Sequence, residues 1–283
     1  ILVTGGAKGI TAECLYELCR RAPARLALVG SSPAQTGLTD TAGEIAATLE
    51  RFRLSGIDVR YFQCDITDAA AVATLIERVH AEMGPIRGLV HAAGVNKPHR
   101  VEDVPWDNFR QILAPKMLGL AHLLRALPLA PLKAVVAFSS VIAKSGMAGN
   151  SDYAYANEWV NGVLRWLQYR HPSILCRSFN YSVWAEIGMG VRLSSLDGLR
   201  RMGIDPIPAV EGARRFVELM LRRWPDTELI ISARLGDLGT VDFGTREVEE
   251  QRFLQQVVQH QPGVELVSEV FLHPDVDHYI AQH

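Results

Sequence analysis

The feature that most restricts this chain is a regular exchange of short apolar runs with stretches of helical period. Ile1-Leu2-Val3 is apolar, Thr4-Gly5-Gly6-Ala7-Lys8-Gly9-Ile10 is a glycine-bearing turn, and Ala12, Leu15, Cys19 and Ala22 then recur at helical spacing until Pro23. The exchange repeats. Leu26-Ala27-Leu28-Val29 reads as a second strand running into Gly30-Ser31-Ser32, and Ile45, Leu49 and Phe52 mark a helix. Val59, Tyr61 and Phe62 make a third strand that leads to Cys64-Asp65-Ile66. Val72, Leu75, Ile76 and Val79 keep the i, i+3, i+4, i+7 rule, Gly84-Pro85 stops that helix, and residues 86–91 form a fourth strand ending in Ala92-Ala93-Gly94. Such alternation predicts an α/β fold, a doubly wound parallel sheet with helices on both faces. The opening strand, glycine turn and helix form the layout that holds phosphate at a helix N-terminus.

Beyond the fourth strand, a helix over residues 107–127 carries an apolar line through Leu113, Met117, Leu120 and Leu124. Lys116 sits beside that line and not on the wet face, so its ammonium needs a partner. Pro115, directly before it, is expected to kink the helix or end its first part. Ala134-Val135-Val136-Ala137-Phe138 is a buried-type run that delivers Ser139-Ser140 to its carboxyl end, where ligands of open α/β sheets bind. A loop with Gly146 and Gly149 follows, and a helix opens with Tyr153 in its first turn. Tyr153 and Asn157 share one face of that helix. A hydroxyl donor and a phenol meeting there can polarise a carbonyl and deliver a proton to it. The same helix has a second apolar line, Tyr155, Trp159, Val163 and Trp166, which predicts cover by another helix or subunit; these aromatics read as packing.

Ile174-Leu175-Cys176 begins the next strand, leading to Asn180-Tyr181-Ser182-Val183-Trp184. Residues 186–205, with Gly188, Gly190, Gly198 and Gly203, read as a mobile lid. Pro208 starts a helix through Ala213, Phe216, Val217 and Met220 that Pro225 ends, and Leu229-Ile230-Ile231 is a final strand. The α/β domain therefore spans residues 1–234, a helix-prone linker residues 235–262, and a new unit residues 263–283, where Val264, Leu266, Val270 and Leu272 alternate as in a half-exposed strand.

A net charge of -2 on 283 residues gives no reason to propose nucleic acid or a membrane surface as partner. No apolar run approaches the ~20 residues of a membrane span. Cys14, Cys19, Cys64 and Cys176 have no metal-ligand spacing and read as reduced thiols in or near the core, so no metal is expected and a cytoplasmic protein is the default. Ile1 already lies in a strand, with no initiator Met, as in a piece of something longer.

Four motifs now converge. The turn Thr4 to Ile10, His91-Ala92-Ala93-Gly94, Phe138-Ser139-Ser140 and Tyr153-Ala154-Tyr155-Ala156-Asn157 resemble the short-chain dehydrogenase/reductase superfamily, a Rossmann-type fold. More narrowly, they resemble the ketoreductase domain of a type I polyketide or polyunsaturated fatty acid synthase. The discriminating detail is a swap. Ordinary members place a lysine four residues after the catalytic tyrosine and an asparagine on the preceding helix; here Asn157 follows Tyr153 and Lys116 holds the earlier helix, as in the synthase ketoreductases. The thirteen-residue step from Ser140 to Tyr153 and the Trp184-Ala185-Glu186 segment fit the same domains, and the resemblance covers residues 1–234.

The resemblance implies a catalytic set of Ser140, Tyr153, Lys116 and Asn157 and the cofactor NADPH. Tyr153 would protonate a β-keto oxygen as hydride reaches the carbon, with Lys116 lowering the pKa of its phenol. Ser140 would donate to the developing alkoxide, and Asn157 would orient Lys116 and a water. Gly5, Gly6 and Gly9 would carry the pyrophosphate, with Thr4, Lys8, Ile10, Ser31, Ser32, Ala92, Ala93, Gly94, Asn180 and Val183 around the cofactor and Asp65 with Ile66 at the adenine. Ser31 stands where NADPH users of this family usually have arginine, and Lys8 could supply that charge; no acid follows the second strand to hold a free 2′-hydroxyl, which argues against NADH. Thr11 replaces the last glycine of the turn, and the stereochemical markers that would fall at Asn96-Lys97-Pro98 and Ser145 are absent, so the alcohol configuration is not encoded legibly.

The tail ending Asp277-His278-Tyr279-Ile280-Ala281-Gln282-His283 resembles the opening of a hot-dog-fold dehydratase, with His283 either its α-proton base or a plain linker histidine. The implied partners are an acyl carrier protein bearing a phosphopantetheine-bound β-ketoacyl group, the neighbouring dehydratase, and an upstream ketoreductase structural half-domain. Two other readings compete: a catalytically silent scaffold domain, whose signature would be a broken Ser-Tyr-Lys-Asn set or glycine turn, and a free-standing reductase of small carbonyls, disfavoured by the swap and the tail.

Overall fold

The computed structural model describes residues 1–34, 40–188, 196–222, 224–236, 256–261 and 265–269. Seven strands form one parallel sheet in the order β3-β2-β1-β4-β5-β6-β7. They are β1 (Leu2–Thr4), β2 (Leu26–Gly30), β3 (Val59–Gln63), β4 (Gly88–His91), β5 (Ala134–Ser140), β6 (Leu175–Tyr181) and β7 (Glu228–Ile231). The crossovers carry α1 (Gly9–Arg21), α2 (Asp40–Leu54), α3 (Ala69–Met83), α4 (Trp106–Ala126), the single turn α5 (Ile142–Ser145), α6 (Ser151–Arg170), α7 (Leu196–Arg201) and α8 (Ala209–Leu221). Strand order reverses at β1, which pairs with β2 on one side and β4 on the other, with Thr4 in register with both Val29 and His91. That reversal opens a crevice beyond the carboxyl ends of the strands.

Two apolar layers cover the sheet. One packs α1, α2 and α8 through residues such as Leu15, Phe52 and Phe216; the other packs α3, α4 and α6 through Leu75, Leu120 and Leu164. Local signals explain the boundaries. Asp68 caps α3 by accepting from the backbone N–H groups of Ala70 and Ala71 at 2.8 and 3.2 Å. Gly84 ends it at φ +80°, a left-handed conformation that glycine adopts freely. Glu186 reaches across to the first N–H of α8, with Ala209 N–H donating to Oε2 at 2.9 Å. No helix among the described residues is long and apolar enough to cross a membrane.

Two expectations change. α4 runs unbroken through Pro115, and its buried line is Ile112, Lys116, Gly119, Leu120 and Leu123. The line is rotated by about one residue from the one hydropathy suggests, so Lys116 lies on it and not beside it. On the outer line of α6, Tyr155 and Trp166 are exposed in the single chain, while Trp159 and Val163 are partly buried against the core. The helix-prone stretch contains a strand, because β8 (Gln256–Gln261) pairs antiparallel with β9 (Glu265–Glu269). β9 falls within the alternating segment read as strand. Linker residues 237–255 and 262, most of the tail with His283, and residues 189–195 of the segment read as a lid lie outside the described residues.

Candidate active site

The carboxyl ends of β1, β4, β5 and β6 open into one cavity of about 570 Å³. Its first wall is main chain. Gly5 has φ +69°, and a Cβ there would lie 2.8 Å from the Ala92 carbonyl, so the turn after β1 can press against the β4 loop only with glycine. Gly9 also has a positive φ, +60°, yet a Cβ there would meet nothing within 4 Å. Its side faces open space at the N-terminus of α1, a thirteen-residue helix with no acidic residue in its first turn. Gly5, Lys8, Gly9 and Ile10 all line the cavity. An uncrowded helix N-terminus flanked by a lysine suits a pyrophosphate.

The second wall is side chain. Lys116, Ser140 and Tyr153 all line the cavity and all are buried. Ser140 Oγ accepts from the Ile142 backbone N–H at 3.3 Å. Asn157 lies one turn below Tyr153 and donates from Nδ2 to the Tyr153 backbone carbonyl at 2.8 Å, while its Oδ1 is buried with no hydrogen-bond partner. Lys116 Nζ donates to the Phe138 carbonyl at 2.8 Å, which ties α4 to β5. Burial pulls the Lys116 ammonium down to about 8, so at neutral pH most of it stays charged.

Tyr153 departs from the sequence expectation. Burial pushes its phenol up to about 12, with hydrogen bonding by Asn157 and Ser140 pulling the other way. The expected lowering by Lys116 is absent here because its ammonium is engaged with Phe138 and the phenol is desolvated.

Behind both walls runs a chain of hydrogen bonds that the sequence reading did not single out. His91, fully buried, bonds through Nε2 to the Lys116 carbonyl at 3.1 Å and through Nδ1 to Thr4 Oγ1 at 2.9 Å. Because a carbonyl only accepts, Nε2 carries the proton and Thr4 donates to Nδ1. The same Thr4 oxygen accepts the Ala93 N–H at 3.4 Å. Burial, and then the neighbouring Lys116, push His91 down to about 3, so it stays neutral. Gly94 completes the contact: a Cβ there would lie 2.9 Å from Lys116 Cε. His91 appeared in the sequence only as part of a motif; no local signal announces a link between β1 and α4.

The remaining expected cofactor residues divide. Ala92, Gly94 and Val183 line the cavity, whereas Thr4, Gly6 and Ala93 do not. Ser31 and Ser32 end the β2 segment outside it; their carbonyls accept from Gln63 Nε2 at 3.1 Å and from the Tyr61 hydroxyl at 2.6 Å. Asp65 turns its Oδ1 onto Thr67, accepting from the backbone N–H at 2.9 Å and the hydroxyl at 2.8 Å, and Ile66 is buried against α4 beside Gly119. Asn180 is placed differently from the expectation. Its side chain is fully buried beneath the sheet, where Oδ1 accepts from Asn161 at 2.9 Å, away from the cavity. Of the segment read as a lid, Ile187, Gly188, Leu199 and Ile204 line the cavity together with Leu235. Beside it, the Ile207 N–H donates to the Val183 carbonyl at 2.8 Å and the Ala185 N–H to the Ile207 carbonyl at 2.9 Å.

Comparison with known proteins gives the chain a family. The family model described as the KR domain matches residues 1–186. "Polyketide synthase GfsA" of Streptomyces halstedii is 33% identical over 208 residues, 73% of this chain and 3% of that protein. A polyunsaturated fatty acid synthase polypeptide of Thraustochytrium sp. is 29% identical over 276 residues, 81% of this chain and 10% of that one. The chain thus spans a few per cent to a tenth of the length of these relatives. Among solved structures, a ketoreductase domain from the bacillaene assembly line superposes with a TM-score of 0.71 at 27% identity, covering 82% of this chain and 55% of that one. By fold, motif and family model, the chain belongs to the KR domain family, the ketoreductases of polyketide synthase assembly lines, built on the short-chain dehydrogenase/reductase fold.

Proposed function

We propose that this chain reduces a β-ketoacyl thioester, held on the phosphopantetheine of an acyl carrier protein, to the β-hydroxyacyl thioester with NADPH. The observation that carries the reading is the convergence of Lys116, Ser140 and Tyr153 on one cavity whose other wall is the glycine turn at the N-terminus of α1. When bound, NADPH supplies the hydride. Gly9, whose side faces open space, would leave the pyrophosphate room, Gly5 would keep the turn tight against the β4 loop, and Lys8, which lines the cavity, would supply charge for a 2′-phosphate where Ser31 offers only a hydroxyl.

The chain's own residues handle the proton. The Ser140 hydroxyl, its oxygen already fixed by the Ile142 N–H, donates to the oxygen on which charge develops. Tyr153 gives up its phenolic proton. At about 12 that phenol is too weak an acid alone, so the Lys116 ammonium must turn from the Phe138 carbonyl toward it. Asn157 Oδ1, buried and unpartnered, is the acceptor available to hold Lys116 or a water for proton resupply. The four thiols are free, as a reducing cytoplasm would keep them. On this reading the product passes to a dehydratase that begins near residue 263. On the same reading an upstream structural half-domain accompanies the catalytic half. The intact Ser-Tyr-Lys-Asn set and glycine turn speak against a silent scaffold.

The test is NADPH consumption with a carrier-bound β-ketoacyl thioester beside Tyr153→Phe. Turnover should fall by roughly 10²–10⁴ in the variant, the contribution of a positioned proton donor. Equal rates for the two proteins, with the variant folded and binding NADPH, would remove Tyr153 from the chemistry.

A further inference from the structure

Behind the second wall stands a set of charged groups that the chemistry does not use. α5 is a single turn beginning two residues after Ser140, and its Lys144 reaches two carboxylates at once. Lys144 Nζ donates to Glu158 Oε2 at 2.7 Å and lies 2.5 Å from Glu228 Oε2. Arg165 on α6 pairs with the same two carboxylates, meeting Glu158 Oε1 at 3.2 Å and also Glu228. Two cations and two carboxylates therefore alternate around a closed ring. Glu158 directly follows Asn157 on the catalytic helix, and Glu228 opens β7. The ring continues inward, because Glu158 Oε2 also accepts from Asn161 Nδ2 at 2.9 Å. Asn161 in turn donates to Asn180 and accepts from the Ser178 hydroxyl, and all three of these side chains are fully buried. Ser178 and Glu228 are register partners, so both, together with Asn180 two residues on, face α6.

An isolated ion pair at such exposure contributes little. A ring in which every charge has two partners, and which leads into a satisfied buried amide, is a network that acts together. It joins α5, α6, β6 and β7, and α5 needs such a join, since a four-residue turn does not hold itself. The position of α5 matters because its Ile142 N–H fixes the Ser140 oxygen. We infer that Lys144 is a positioning residue: through the ring it fixes α5, and α5 fixes the Ser140 hydroxyl opposite Tyr153. The inference rests on the functional reading above and extends it to residues that touch neither substrate nor cofactor.

Lys144→Met removes the ammonium and keeps the stem, while Lys144→Arg keeps the charge. With NADPH and a carrier-bound β-ketoacyl thioester, kcat of the methionine variant falls roughly ten-fold, a part of the ~10²-fold cost of a 1 Å misplacement. KM for NADPH and the melting temperature stay at wild-type values, and the arginine variant recovers most of the lost rate. A second readout is independent of turnover. The amides of Ser145 and Gly146 bond to the Val141 and Ile142 carbonyls at 3.0 and 2.8 Å, and they should exchange hydrogen faster in the methionine variant. Wild-type kcat in Lys144→Met, or a loss matched by a rise in KM for NADPH, overturns the inference. If the wild-type chain itself does not turn over, the functional reading fails and exchange alone decides: faster exchange at Ser145 and Gly146 sustains the brace, unchanged exchange ends it.

Discussion

Along α1 the cavity is shaped by main chain: two glycines in left-handed conformations and a helix N-terminus define it, and Lys8, Ile10 and Thr11 add its side chains there. Along α6 it is shaped by buried side chains, Lys116, Ser140 and Tyr153, and burial moves the two ionisable ones away from their behaviour in water. The difference separates two kinds of sensitivity. A main-chain wall responds to added atoms and hardly to pH, whereas a wall of desolvated ionisable groups responds to pH even when its shape is untouched.

The largest effect that would break this contrast is at Gly5. Gly5→Ala places a Cβ 2.8 Å from the Ala92 carbonyl on a residue at φ +69°, so strain and overlap add. The strain alone costs about 1–2 kcal/mol, and the melting temperature should drop well beyond that of Gly9→Ala, which has the same kind of backbone strain but open space. Calorimetry of the two variants side by side decides it; equal losses would mean that close approach to the β4 loop is unimportant.

The second effect is confined to the other wall. Lys116 falls from 10.5 to about 8 on folding, so the ammonium that Tyr153 needs disappears as pH rises through about 8. Turnover should decline roughly ten-fold per unit above that point. Stability should move the opposite way: between about 8 and 10.5 the unfolded chain binds more protons than the folded one, so folding becomes more favourable as pH rises and loses that gain as pH falls back through about 8. Parallel pH profiles of kcat and of urea midpoint test the sign, and a flat kcat profile from about pH 7 to 10 would contradict it.

The smallest effect sharpens the cofactor side. Lys8→Ala should raise KM for NADPH by roughly five-fold, about 1 kcal/mol, and leave KM for NADH unmoved. Equal shifts for both cofactors would take Lys8 away from the 2′-phosphate.

The main-chain wall was the more legible in the sequence, because glycine spacing and the strand-helix alternation are local signals. Ser140 at a strand end, and Tyr153 with Asn157 on one helix face, follow from the strand and helix periods. The α4 register was not legible. Hydropathy favours the leucines Leu113 and Leu124, but the buried line runs through Lys116 and Gly119, and what stabilises it is a carbonyl on Phe138, distant in sequence. The same holds for Asn180, whose partner Asn161 lies on another element. Gln256–Gln261 has a composition that suits a helix and becomes a strand only because Glu265–Glu269 pairs with it. In each case a partner remote along the chain overrides the local preference.

The position of β1 in the sheet also bears on how the chain acquires its shape. β1 is hydrogen-bonded to β2 and β4, and its pairing with β4 joins Leu2 to Leu89 and Thr4 to His91. During synthesis one edge of β1 must therefore stay unmatched until the β4 segment follows. Every pairing in the seven-stranded sheet is parallel and needs a crossover, so loop closure precedes each gain. The Thr4–His91–Lys116 chain lies across that late-forming seam. Placement of Lys116 and completion of the sheet's centre thus coincide, and a half-folded chain carries neither.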